Sequence, residues 1–213
     1  MNFQLKFKIN EKLFIRNPEG SELGNQIVKK AIDLIYNLGF EQFTFKKLAV
    51  EMNSTEATIY RYFENKHKLL IYLSSWYWSW MEYRIVFATA NLENPIHKLE
   101  KAIHIVTENI ADDKSTPYIN EKLLNQIVIE EFTKTMRTKN VDDENKLGFF
   151  LVYKRVINRI IAIIEEIKEE DNQEIQRILS SVMREFDVPE TGTALADPEL
   201  ENMYQSYNVL KSS

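Results

Sequence analysis

Residues 44–70, TFKKLAVEMNSTEATIYRYFENKHKLL, decide how this chain is read. Thr44 is a candidate N-cap, and Phe45, Leu48, Ala49 and Met52 follow at the spacing of one helix face. Asn53 stands where the chain must reverse, and asparagine tolerates the left-handed backbone such a turn needs. Thr55 or Ser54 can cap a second helix, in which Ile59 and Phe63 form an inward i, i+4 pair. A third helix begins near Asn65. Short helix, tight turn, short helix is the grammar of a helix-turn-helix, whose second helix fits a DNA major groove.

The same residues resemble the DNA-binding domain of the tetracycline-repressor-like (TetR) regulators. That family carries Ala–x–x–x–Gly–Val–Ser–x–Gly–Thr–[Ile/Leu]–Tyr–x–[His/Tyr]–Phe–x–[Ser/Asn]–Lys–x–x–Leu. Ala49, Thr55 in place of Ser, Thr58, Ile59, Tyr60, Tyr62, Phe63, Asn65, Lys66 and Leu69 stand in register. Asn53 for Gly, Ser54 for Val and Ala57 for Gly depart from it. Ala57 trades flexibility at the start of the second helix for helix propensity. The resemblance covers about a quarter of the chain, roughly residues 20–75. It implies that Thr55, Glu56, Ala57, Thr58, Tyr60, Tyr62 and Lys66 face DNA. Thr44 and Lys46 at the start of the preceding helix, and Arg61, extend that set. Thr58 and Tyr60 can donate hydroxyl hydrogen bonds to phosphate, and Lys66 can supply a point charge. Glu56 can accept from cytosine N4, or can simply stabilise its helix N-terminus. Ala57 can meet a thymine methyl.

Length and composition agree with an all-α fold. The chain has 213 residues, 44% hydrophobic and 28% charged, with five Gly and five Pro, too few for many tight β turns. Cysteine is absent, which excludes disulfides and thiolate metal sites. No apolar run is long and uncharged enough to span a bilayer, and the N-terminus has no signal-peptide core, so a soluble, cytoplasmic protein without a membrane partner is expected. Net charge is −5, unevenly spread. Residues 1–70 hold 11 Lys/Arg against 8 Asp/Glu, and residues 71–213 hold 16 against 24. The positive end coincides with the helix-turn-helix.

Three parts are expected: an arm over 1–16, a DNA-binding domain over 17–66, and an effector-binding and dimerisation domain over 67–213. In the arm, Phe3, Leu5, Phe7 and Ile9 alternate with polar residues. It reads as an extended or poorly ordered segment, either contacting DNA through its lysines or packed on the first helix. The first helix starts at Asn17–Pro18 or at Ser21, buries Leu23, Ile27, Ala31, Leu34 and Leu38, and ends at Gly39. A long helix over 65–90 has a narrow solvent strip of Ser75, Ser79 and Glu82. Further helices are expected over 94–111, 118–138, 143–170 and 172–187, with a short last one over 198–210.

Trp76, Trp80, Tyr83 and Phe87 lie on one stripe of the long helix. They are candidate ligand-binding residues for a small apolar effector, although an aromatic stripe at helical spacing is also ordinary core. Phe149, Tyr153, Val156, Ile160 and Ile164, with Ile178 and Val182 on the next helix, give a wide apolar face and are candidate dimer-interface residues. His97, Glu100 and His104 share a face, but the outer two are about 10 Å apart along a helix, too far for one ion, so no metal and no cofactor is expected. No Gly-x-Ser-x-Gly, phosphate loop or catalytic cysteine is present, so no enzyme is expected. These readings combine as a ligand-responsive transcriptional regulator, a repressor, binding a double-stranded, pseudo-palindromic operator as a homodimer. The alternative is a helical dimerisation or protein-interaction module whose DNA-binding site has decayed.

Overall fold

The computed structural model describes residues 5–110, 116–132, 148, 151–167 and 177, and all regular structure among them is helical. The helices are α1 Glu22–Leu38, α2 Phe45–Glu51, α3 Glu56–Tyr60, α4 Lys66–Thr89, α5 Pro95–Thr107, α6 Glu121–Ile127 and α7 Leu151–Glu165. A π-type turn, Val128–Phe132, continues α6. The chain forms two compact units: Met1–Ser79 with Asn109–Phe150, and Trp80–Glu108 with Leu151–Ser213. Their limits cut across the expected boundary at 66/67.

In the first unit the chain's own caps set the helix ends. Asn17 caps a 3-10 turn over Pro18–Gly20, and Ser21 Oγ then accepts the Gly24 N–H at the start of α1, so both expected start signals are used in succession. Gly39, at φ 75°, closes α1 by donating its N–H to the Ile35 carbonyl. The buried row of α1 is Gly24, Ile27, Val28, Ala31, Ile32 and Ile35. It is rotated from the expected row: Leu23 is exposed, and Leu34 and Leu38 are half-buried. The rotation arises because the Pro18 turn folds back onto Gly24, and α6 also packs on α1.

The arm is neither free nor strand-like. Leu5, Ile9 and Leu13 are buried, a 3-10 turn forms over Glu11–Leu13, and Phe7 meets the Trp76 ring edge-on at 5.3 Å. Ser75 and Ser79, expected to face solvent, are buried. The Ser79 hydroxyl donates to the Ser75 carbonyl at 2.8 Å, and Ser74 does the same to Leu70 at 3.0 Å. Serine can turn inward on a helix because its hydroxyl bonds back to its own backbone.

In the second unit α5 packs on α7. Leu99, Ala102 and Ile105 are buried on α5, and Val152, Val156, Ile157 and Ile163 on α7. Glu82 receives Arg155 and Arg159, the first through both carboxylate oxygens. Burial raises its carboxyl, but those guanidinium bonds outweigh it and hold the carboxyl below its ordinary value. Phe149, Ile178 and Val182, the helix expected over 198–210, and all of the one expected over 172–187 except Arg177 lie outside the described residues.

Candidate nucleic-acid interface

The turn between α2 and α3 is built as its sequence demands. Thr44 Oγ1 accepts the Lys47 N–H at 3.2 Å and starts α2. Asn53 has φ 49°, the left-handed conformation, and its N–H bonds to the Val50 carbonyl. Ser54 then donates to the Ala49 carbonyl at 2.8 Å, closing the reversal. Ile59 and Phe63 are buried, so the opposite side of α3 faces outward. Thr55 adopts an extended N-cap backbone, but its hydroxyl pairs with that of Thr58 at 3.1 Å instead of capping an N–H.

This arrangement sorts the expected DNA-facing residues into two groups. Thr44, Lys46, Thr55, Glu56, Ala57, Tyr60 and Arg61 are exposed. They come together along α3 and the start of α2, and the Tyr60 ring stands edge-on to Phe45 at 5.1 Å. The other three are directed inward. Thr58 is buried, because on so short a helix it falls on the flank toward the turn. Tyr62 is only 2% exposed; its hydroxyl bonds to Ser21 Oγ at 2.8 Å, locking α3 to the start of α1. Lys66 is half-buried, and its ammonium donates to the Phe40 and Glu41 carbonyls at 2.9 and 3.1 Å and lies over the Phe40 ring. Carbonyls just beyond a helix C-terminus attract a cation, so Lys66 fastens the end of α1 to the start of α4. These three placements correct the expectation that all ten side chains face outward.

Two residues near this surface carry no clear mark in the sequence. Arg16 is exposed, with its guanidinium 5.5 Å from the centre of the Tyr62 ring. Val50 is 71% exposed on α2, an apolar side chain beside the basic ones. The alternating lysines of the arm are the one signal that points toward Arg16.

The candidate effector residues do not converge. Trp76 is buried in the first unit, its indole N–H donating to Glu19 at 3.0 Å. In the second unit Trp80 is buried under the Arg84 guanidinium, whereas Tyr83 and Phe87 stack on each other at 6.0 Å with Phe87 74% exposed. An i, i+4 pair turned to solvent covers its own helix surface and encloses nothing. His104 lies 3.3 Å from Glu108, which also receives Arg84.

Residues 27–73 match the family model of bacterial regulatory proteins, tetR family. No curated protein matches the chain. Among solved structures, the TetR-family transcriptional regulator PfmR from Thermus thermophilus is 17% identical, with 86% of this chain and 96% of that chain covered and a TM-score of 0.49. The fatty acid degradation regulator FadR from Bacillus halodurans is 17% identical, with 86% and 96% covered and a TM-score of 0.48. AibR in complex with isovaleryl coenzyme A and operator DNA is 16% identical, with 84% and 95% covered and a TM-score of 0.47. The match over the helix-turn-helix is the one that identifies: residues 27–73 form a DNA-binding domain of the type found in bacterial regulatory proteins of the tetR family.

Proposed function

We propose that this regulator is a repressor that binds a pseudo-palindromic operator as a homodimer in the cytoplasm and is released by a small apolar effector. The observation that carries the DNA-binding part is the outward face of α3, where Glu56, Ala57, Tyr60 and Arg61 are exposed beside Lys46 of α2. Those side chains need no rearrangement to meet a groove. Glu56 accepts from a cytosine amino group, Ala57 meets a thymine methyl, and Tyr60, Arg61 and Lys46 reach phosphates. Two copies set one DNA turn apart read inverted half-sites. The effector acts only through its differential affinity for the operator-competent and incompetent arrangements. Its site is not the four-residue aromatic set as a unit, since Tyr83 and Phe87 face solvent.

Selection of duplexes from a random pool tests this reading. The expected product is a symmetric site with half-site centres one helical turn apart. Glu56→Ala selects a different base at one position per half-site, because only base-edge contacts carry sequence. A pool with no enriched sequence would favour the second reading, a helical interaction module with a decayed DNA site. One observation keeps that reading in view: residues 17–70 hold seven Lys/Arg and seven Asp/Glu, a helix-turn-helix without net charge.

A further inference from the structure

Affinity for DNA is dominated by phosphate neutralisation, yet the helix-turn-helix over 17–70 is electroneutral. The whole positive surplus of the first 70 residues lies in residues 1–16, which hold Lys6, Lys8, Lys12 and Arg16 against Glu11. The fold also fixes where that charge goes. The arm runs along α4 toward the helix-turn-helix: Phe7 lies against Trp76, Phe14 against Tyr72 at 6.1 Å, and Ile15 donates its N–H to the Tyr62 carbonyl at 2.8 Å. Tyr62 follows the last turn of α3 by two residues, so this hydrogen bond straps the arm to the end of the recognition helix. Arg16, the next residue, lies over the Tyr62 ring at 5.5 Å, is exposed, and makes no ion pair among the described residues. Ile15 beside it is 66% exposed. Tyr62 itself has been taken out of contact by the arm and by Ser21.

We infer that Arg16 is a DNA phosphate contact, presented by the arm at the C-terminal end of α3 in the place that buried Tyr62 cannot fill. A guanidinium suits this role: its charge lies over the tyrosine ring at 5.5 Å, and its fork of N–H donors matches two phosphate oxygens. Two of the arm's other cations are differently placed. Lys6 and Lys8 flank Phe7, which packs on Trp76, about 15 Å further along the α4 axis than Lys66 at ~1.5 Å per residue. They contribute a screened field and no contact. The inference rests on the DNA-binding reading above.

The test uses the full-length protein, titrated by fluorescence anisotropy on random-sequence duplexes and on a selected operator over a salt series. Arg16→Gln is expected to weaken binding to both duplexes alike and to shallow the log–log salt slope by about one unit per protomer. Arg16→Lys should keep most of the slope, and Lys8→Gln should leave it unchanged. Arg16 is exposed, so the variants should retain the wild-type helical spectrum and melting temperature. An unchanged slope in Arg16→Gln overturns the inference while leaving the DNA-binding reading intact. So does an equal fall in Lys8→Gln, which would mean a diffuse field, or an Arg16→Lys variant as impaired as Arg16→Gln, which would mean a packing role. If the wild type binds neither duplex, the DNA-binding reading falls and takes this inference with it.

Discussion

Glu19 joins three distant segments of the first unit. It follows Pro18 in the turn before α1, and its Oε1 accepts from Trp76 Nε1 of α4 at 3.0 Å and from the Tyr118 hydroxyl at 2.9 Å. Burial raises its carboxyl above the ordinary value, and the bonds from Tyr118 and Trp76 and the nearby Lys6 offset that only in part. The sign of its effect on stability follows. A raised folded value means that Glu19's contribution is fully present below about pH 4.5, the unfolded value, and is lost as the pH rises through the higher folded value. Glu19→Gln keeps an acceptor oxygen for both donors but cannot ionise. Its melting temperature is therefore expected to gain on the wild type as the pH rises from about 4 to about 7. Parallel melting curves over that range would show that Glu19 ionises in the folded protein as it does in the unfolded one. Nothing in the local sequence marks this residue, since its partners lie 57 and 99 positions away. The residues that are legible, Thr44, Asn53 and Gly39, act on backbone within a few positions of themselves. Tyr62 and Lys66 mislead for the same reason that Glu19 stays hidden: their partners, Ser21 and the Phe40–Glu41 carbonyls, come from far along the chain.

Helix positions are plain in the sequence and helix faces less so. The spacing rules find α1 to α5 with boundaries close to those observed, because caps and Pro–Gly punctuation are local. Which side of a helix is buried depends on what packs there. In α1 the deciding neighbour is a single turn. A Cβ added to Gly24 would stand 2.1 Å from the Pro18 carbonyl oxygen and 2.6 Å from Pro18 Cα, both backbone atoms. Glycine is needed here for closeness of approach, since its backbone is ordinary helix. Gly24→Ala sets two effects against each other. Helix propensity favours alanine by about 1 kcal/mol. Overpacking against backbone costs roughly 1–3 kcal/mol or more, because the turn must shift bodily. The clash wins: the variant is expected to melt roughly 2–8 °C below the wild type, a net loss of ~1–2 kcal/mol at this chain length. Thermal unfolding by circular dichroism checks it. A variant as stable as the wild type would mean that the Pro18 turn yields freely. On α4, Ser75 and Ser79 suggest solvent by their polarity, yet both are buried, and the Ser79 hydroxyl is satisfied by the Ser75 carbonyl one turn back.

At the scale of the molecule, the proposed dimer turns on α7. Its sequence shows two rows of apolar residues, more than one neighbour requires, and the structure divides them. Val152, Val156, Ile157 and Ile163 are buried within one chain, on a helix that packs on α5. Val156, expected at the seam, is thereby used inside the protomer. Tyr153, Ile160, Ile161 and Ile164 stay half-buried, and Leu151 is 54% exposed. A row of half-buried isoleucines invites a partner, and a second copy about a two-fold axis presents the same row to itself. Such an obligate interface usually buries roughly 2,000 Å² or more, with an apolar centre. A carboxylate in the seam would face its own copy across the axis, desolvated and unpaired. Ile160→Glu or Ile164→Glu is therefore expected to yield folded monomers in sedimentation, because each side chain already reaches solvent and the protomer can accommodate the charge. The same variant should lose operator affinity by orders of magnitude, since one half-site contact no longer assists the second. Val156→Glu is expected instead to impair folding, which separates a buried position from a seam position. If Ile160→Glu and Ile164→Glu both remain dimers with wild-type operator affinity, the two copies meet through some other surface of the chain.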